Sequence, residues 1–157
     1  MRTRVRLVPA EAKHIGRIAR LMRDPDRLEC EAMGRTPKQA LRLSLAVSDK
    51  AWTALVDDQP EAMFGVMVDS VLGRTAVPWF LGTDEVYRHG RELIMWGPGM
   101  ISRFGDYDLR NLVAADNTKA IRLLKRWGFS LSDEVLFCGG VEFRPFSRLR
   151  DATIRPA

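Results

Sequence analysis

Residues 81 to 91 read Leu81-Gly82-Thr83-Asp84-Glu85-Val86-Tyr87-Arg88-His89-Gly90-Arg91, a short run carrying two acids, an imidazole and two guanidinium groups. A carboxylate at Asp84 or Glu85 can take a proton from an incoming nucleophile. His89, one helical turn after Glu85, has an unperturbed pKa suited to the same task. Arg88 and Arg91 are the neighbouring cations for an anionic ligand. Each position also has a structural reading. Acids are favoured in the first turn of a helix, so Asp84 serves there as a cap or first-turn charge, with Glu85 on the solvated surface. His89 and His14 have no partner visible in the sequence, and Asn117 suits a helix cap. No phosphate loop of the G-x-x-x-x-G-K-[ST] type and no Ser/His/Asp order cue is present, which argues against nucleotide triphosphatase and hydrolase chemistry. Cys30 and Cys138 lack metal-ligand or C-x-x-C spacing, so both read as buried small hydrophobes and no metal is expected.

The elements that must position these residues follow from periodicity. Val5 and Leu7 mark a first strand ending at Pro9. A helix follows from Ala10 or Glu11 to about Met22, with Ile15, Ile18, Leu21 and Met22 on its apolar stripe. A second helical region runs from Asp24 to Met33 and breaks at Gly34. A third starts at Thr36-Pro37, a cap followed by proline at the first helical position, and reaches Ser48. Trp52 to Val56 and Met63 to Val68 read as a hairpin around Asp57-Asp58-Gln59-Pro60. Gly73-Arg74 marks a turn before Ala76 to Leu81, where Pro78 signals a bulge, an edge or a strand end. A helix from Asp84 to Phe104 is expected to kink or break at Gly97-Pro98-Gly99.

The stretch Leu109 to Phe129 reads as strand, tight turn, helix and stop. Leu109 to Ala114 is apolar, Asp116-Asn117-Thr118 can cap, Ala120, Leu123, Leu124 and Trp127 recur at helical spacing, and Gly128 ends the helix. Glu134 to Cys138 and Val141 to Phe146 close the chain as a hairpin around Gly139-Gly140. The four tryptophans, Trp52, Trp79, Trp96 and Trp127, sit in apolar periodic segments and read as core, with Trp79 and Phe80 also suited to line a cleft. The order of elements implies an α/β, mixed sheet with helices on both faces.

With 157 residues, 46% hydrophobic and 29% charged, the chain is expected to form one domain over residues 1–146, with a tail over 147–157. No run approaches the roughly 20 apolar residues of a membrane helix, and the N-terminus lacks the apolar core of a signal peptide, so an intracellular protein is expected. The net charge of +5 comes mainly from scattered arginines. Arg144, Arg148 and Arg150 give a weak hint of an anionic partner, with nucleic acid the weakest alternative.

Asn117, Ala120, Leu123, Gly128 and Phe129 are spaced as N-x-x-A-x-x-L-x-x-x-x-G-F, and this window resembles the late signature of Gcn5-related N-acetyltransferases. Trp79-Phe80, Thr83 to Arg88, Asn117-Thr118, Ile121-Arg122 and Leu124-Lys125 further resemble the small acetyltransferase-like internal virion and assembly proteins of short-tailed phages. The resemblance implies about six to seven strands, a sheet splayed between the fourth and fifth, and acetyl-CoA as cofactor if the protein is active, otherwise none. By the same resemblance Leu81, Gly82, Arg88, Arg91 and Asn117 would bind the cofactor, and Asp84, Glu85 and His89 would be catalytic. Two departures stand out. The Q/R-x-x-G-x-G/A pattern is absent after the fourth strand, where Thr83 or Asp84 can instead cap the helix internally. Asp84 and Glu85 would repel a diphosphate there, each pair of unit charges about 5 Å apart costing about 3 kcal/mol at an effective dielectric near 20. Leu124 stands where many relatives carry the tyrosine that protonates the departing thiolate, and spacing alone places neither Tyr87 nor Tyr107 at the splay. The expected reading is therefore a catalytically degenerate phage protein, found in the virion or the infected host cytoplasm and partnered by virion or assembly proteins. The alternative is a divergent acetyl-CoA-dependent N-acetyltransferase acting on a small-molecule or protein amine.

Overall fold

In the computed structural model, which describes residues 3–150, the apolar runs pair as one sheet of eight strands. Strands β2 (Lys50–Val56) and β3 (Gln59–Ser70) form the expected hairpin. Its turn is tighter than the four residues anticipated. Asp57 and Asp58 alone make it, both in the left-handed region (φ 48° and 66°), as a two-residue hairpin loop requires. β1 (Val5–Pro9) lies antiparallel to β2, and β4 (Thr75–Gly82) antiparallel to β3.

Beyond β4 the sheet changes direction. β5 (Asp108–Ala114) runs parallel to β4 but pairs with it only at Thr75–Asp108 and Ala76–Leu109. β8 (Val141–Arg148) is antiparallel to β5 and carries the short strands β6 (Ser130–Leu131) and β7 (Leu136–Cys138). The closing hairpin turns at Gly139-Gly140 (φ 55° and 77°) as expected. A Cβ on Gly139 would come within 2.4 Å of Ala32 O, so the turn also needs glycine to pass a helix end. β8 continues to Arg148, taking in the first residues of the expected tail, whose last part, 151–157, lies outside the described residues. β6, too short to show periodicity, raises the count above the six or seven strands expected.

Period-two alternation places helices on both faces. Met63, Leu81 and Trp79 point to one side, packing with Ile15 and Ile18 of α1 (Ile15–Arg20), Cys30 of α2 (Asp24–Ala32) and Leu41 of α3 (Pro37–Val47). A 3₁₀ turn, Ala12–His14, precedes α1, and α3 opens with Thr36 accepting from Gln39 N as the sequence signals. On the other side Phe64, Val66 and Phe80 meet α5 (Gly90–Ser102) and α6 (Thr118–Arg126). No helix among the described residues is long and apolar enough to cross a membrane.

The helix after β4 corrects one expectation. It breaks at Arg88-His89, between α4 (Asp84–Tyr87) and α5, and continues without interruption through Gly97-Pro98-Gly99. Pro98 and Ile94, whose carbonyl loses its N–H partner to the proline, are both exposed. Gly97 has a packing reason. The Trp127 indole lies against it and donates to Leu93 O at 2.9 Å, joining α5 to α6. A Cβ at Gly97 would lie 2.0 Å from Trp127 Nε1. Gly97→Ala is therefore expected to lower stability by about 1–3 kcal/mol through overpacking, despite alanine's better helix propensity. A denaturant midpoint equal to or above that of the unaltered chain would contradict the contact.

Candidate active site between diverging strands

Past Ala76 and Leu109, β4 and β5 separate, and side chains take over from ladder hydrogen bonds. Asn111 Nδ2 donates to Pro78 O across the gap at 2.7 Å. Pro78 N faces the same way as its carbonyl, so the missing N–H removes a donor that would have had no strand opposite. A cavity of about 480 Å³ fills the space between the strands and is walled mostly by apolar side chains. Trp79 and Phe80 line it, as the sequence allowed. Phe80 stands at the centre of an aromatic wall, stacked on Phe64 and edge-on to Tyr87 and Trp127, each of the latter at 6.0 Å between centroids.

The polar groups enter from α2. Asp26 Oδ2 accepts the Gly82 N–H at 2.9 Å, while Oδ1 is paired with Arg23 Nη1 at 2.9 Å and lies 3.3 Å from Asn117 Nδ2. Glu29 Oε1 accepts from Ala114 N at 2.9 Å and from Asn117 Nδ2 at 3.0 Å. Its Oε2 has no hydrogen-bond partner among the described residues and is not fully enclosed. Arg23 Nη2 reaches Asn117 Oδ1 at 3.3 Å, and its guanidinium lies 4.1 Å from the centre of the Tyr87 ring.

Burial governs the ionisation of this cluster. It pushes Asp26 up to about 6 against the pull of Arg23, the Gly82 N–H and Asn117. Glu29 rises to about 7, because burial outweighs its bonds from Asn117 and Ala114 N and the Asp26 charge adds to the rise. Burial also raises Tyr87, with Asp26 reinforcing the effect and Arg23 opposing it, so the phenol keeps its proton at neutral pH. At the start of α1, burial lowers His14, which bonds Thr53 Oγ1 through Nδ1 and stays neutral.

The residues singled out from sequence divide into two groups. Leu81 and Asn117 line the cavity, whereas Gly82 does not, its N–H being taken by Asp26 and its carbonyl by Arg23 N. Asp84, Glu85, Arg88, His89 and Arg91 do not line it. The Asp84 side chain is 75% exposed with Arg23 Nε 3.8 Å away, and Glu85 pairs with Arg88 at 2.7 Å and lies 3.5 Å from His89. Arg91 is exposed, and Arg144 of the basic cluster is held by Ser132 O at 2.8 Å.

Four expectations change. Thr83 does not cap α4, because its hydroxyl donates to the buried Glu61 carboxylate that Arg17 also engages. Asn117 does not cap α6, because its side chain is drawn into the Arg23, Asp26 and Glu29 cluster. Tyr87 does stand at the gap. Cys138 is half-buried rather than buried, with Sγ 3.6 Å from Ala32 O, while Cys30 is buried and both thiols are free. Arg23, Asp26 and Glu29 were missed. The available signal was that Asp26 and Glu29 share a helical stripe with Cys30 and Met33, so two acids fall on the face marked as core. Among the described residues no cluster could hold a metal ion.

The raised carboxyls have a consequence for stability. A carboxyl whose pKa is higher folded than unfolded binds more protons in the native state, so its contribution is greatest in acid and is lost as pH rises through the folded value. For Glu29 that window runs from 4.5 to about 7. Glu29→Gln should gain stability relative to the unaltered chain between pH 5 and pH 8, read as the difference between the two thermal midpoints. A difference that stays constant over that range would show that Glu29 is not perturbed.

The chain matches no protein-family model and no curated protein. Solved structures do match. Ard1 from Thermoplasma volcanium aligns with a TM-score of 0.65 at 17% identity, over 94% of this chain and 98% of that one. An acetyltransferase of the GNAT family from Streptococcus pneumoniae aligns at 0.63 and 15% identity, over 94% of this chain and 100% of the other. RimL, a ribosomal L7/L12 alpha-N-protein acetyltransferase solved with coenzyme A, aligns at 0.63 and 14% identity, over 94% and 95%. At these identities the similarity establishes architecture. Eight strands, helices on both faces and the divergence of β4 from β5 give this chain the fold of the Gcn5-related N-acetyltransferases.

Proposed function

We propose that this protein transfers an acetyl group from acetyl-CoA to a primary amine. The observation that carries the reading is the chamber between β4 and β5, where a carboxylate with one anchored and one free oxygen meets a protonated phenol. The apolar chamber suits a thioester arm. At the diphosphate end the fit is weaker. The first turn of α4 has no N-cap side chain on its N–H groups, which favours an anion, but Asp84 and Glu85 oppose one and Glu85 occupies Arg88. Leu81 and exposed Arg91 are the remaining contacts from the sequence-derived set, and Asn117 acts through Glu29. Bound acetyl-CoA would supply an acyl group activated toward attack by nitrogen.

Glu29 Oε1 is fixed by Ala114 N and Asn117 Nδ2, which directs Oε2 as the proton acceptor for an amine. A carboxyl near 7 is matched to that task at neutral pH. Tyr87 keeps its Oη proton and can donate a hydrogen bond to a departing thiolate, the role that Leu124 leaves open. Asn117 and Arg23 are positioning residues. A purely structural virion role leaves the free Glu29 oxygen, the phenol and the chamber without a purpose, and similar structures offer that role no support.

The test is thiol release from acetyl-CoA in the presence of a panel of primary amines. Glu29→Gln is expected to lower kcat by about 10²–10⁴-fold. The base works deprotonated, so the unaltered rate should rise with pH through about 7, and this limb should vanish in the variant. The charged groups that act on Glu29 are Asp26, which raises it, and Arg23, which lowers it, while Tyr87 and Arg35 also line the cavity. No thiol release at millimolar acetyl-CoA with any amine would sink the proposal, as would a pH limb that survives in Glu29→Gln.

A further inference from the structure

The chamber opens toward α2 and α3, and its rim is apolar. Met33, Leu43 and Val47 all border the cavity, yet they are 40%, 41% and 45% exposed. Trp79 forms the wall behind them, and its only polar atom is spent on Ser48 Oγ at 2.7 Å, so the ring offers carbon to whatever enters. Two carboxyls of α2, those of Asp26 and Glu29, also line the cavity. Asp26 is compensated by Arg23. Glu29 has no ion pair among the described residues, so the cluster of one arginine and two carboxylates carries one uncompensated negative charge when both acids are ionised.

From this geometry we propose that the amine acceptor is a small, apolar primary amine of the arylalkyl or alkyl class, with its ammonium or amine at Glu29 Oε2 and its carbon body against Met33, Leu43, Val47 and Trp79. Its role as acceptor rests on the acyl-transfer reading above, whereas binding does not. The walls are mostly apolar, and Asn111 and Asn117 already have partners, so an amino sugar would leave several hydroxyls unsatisfied. Arg35 also lines the chamber and is exposed, so a second cationic centre of a polyamine would meet like charge at the rim. The chamber, about 480 Å³, would be shared by the amine and the thioester arm, so the amine's carbon body must be small.

The test is calorimetric titration of the full chain, without acetyl-CoA, with phenethylamine, ethanolamine, spermidine and 2-phenylethanol. Phenethylamine should bind at least about tenfold tighter than each of the others, since only it supplies both the apolar body and the single cation. Leu43→Arg, a substitution at an exposed position, should weaken phenethylamine by about tenfold or more while leaving the thermal midpoint near its original value. Glu29→Gln should abolish the preference for phenethylamine over 2-phenylethanol. Equal or tighter binding of ethanolamine or spermidine would overturn the inference even if neither variant folds, and so would a preference that persists in Glu29→Gln. With acetyl-CoA added, transfer to spermidine but not phenethylamine would remove this inference and leave acyl transfer standing. Tight phenethylamine binding with no transfer to any amine would uphold the inferred site and remove the enzyme reading.

Discussion

Two parallel strands that pair over only two residues must leave polar backbone edges inside the protein, and the architecture around β4 and β5 answers that constraint. An unsatisfied buried N–H or C=O costs about 1–3 kcal/mol, so several of them would consume much of a domain's net stability. The chain meets the cost group by group. Proline at position 78 deletes one donor, Asn111 takes the Pro78 carbonyl, Asp26 takes the Gly82 N–H and Glu29 takes the Ala114 N–H. Ladder bonds are thus replaced by acids supplied from α2. Carboxylates in that position accept strongly from backbone amides, but they bring charge into an apolar space.

That exchange creates the ionisable centre. Arg23 offsets one charge, and its own position is fixed by Asp26, Asn117 and the face of Tyr87. The second carboxylate, on Glu29, is left to respond through its pKa, which is what a base near neutrality requires. A structural need and a chemical capacity therefore share the same atoms. The aromatic wall built from Phe64, Phe80, Tyr87 and Trp127 holds the opposite side apart, and the Trp127 contact at Gly97 ties α5 to α6 where a bulkier residue would push them away.

Much of this architecture could be read from periodicity and turn chemistry. The Asp57-Asp58 hairpin, the Thr36-Pro37 start of α3, the Leu109 to Phe129 unit and the glycine turn before β8 were legible, because each is determined by residues close in sequence. The site was legible only in part. Asn117 looks like a cap locally, yet its partners Arg23, Asp26 and Glu29 lie some 90 positions earlier, and only the tertiary fold brings them together. Thr83 likewise has a local role available and takes a distant one with Glu61. Attention to the acids on the Cys30 and Met33 stripe would have recovered α2. Nothing in the spacing would have placed Tyr87, since the break at Arg88-His89 that ends α4 carries no proline and sits just before Gly90.

If the proposed acyl transfer holds, the loop after β4 and the chamber between the strands are subject to different demands, which would reconcile a weak anchor for the donor with a working centre. Acids at Asp84 and Glu85 reduce affinity for a diphosphate that touches the protein equally before and during reaction. Loss of such uniform binding raises KM and leaves the chemical step nearly intact. Under the proposed acyl transfer, Glu29 and Tyr87 would act on atoms whose charge changes in the transition state, so their removal would fall on kcat. On that proposal, the missing glycine-rich pattern would bear on how tightly an acyl donor is held, and the chamber on what would happen to it. A degenerate loop argues against catalysis only if the residues at the reacting end are degraded too, and here an oriented carboxylate and a protonated phenol remain.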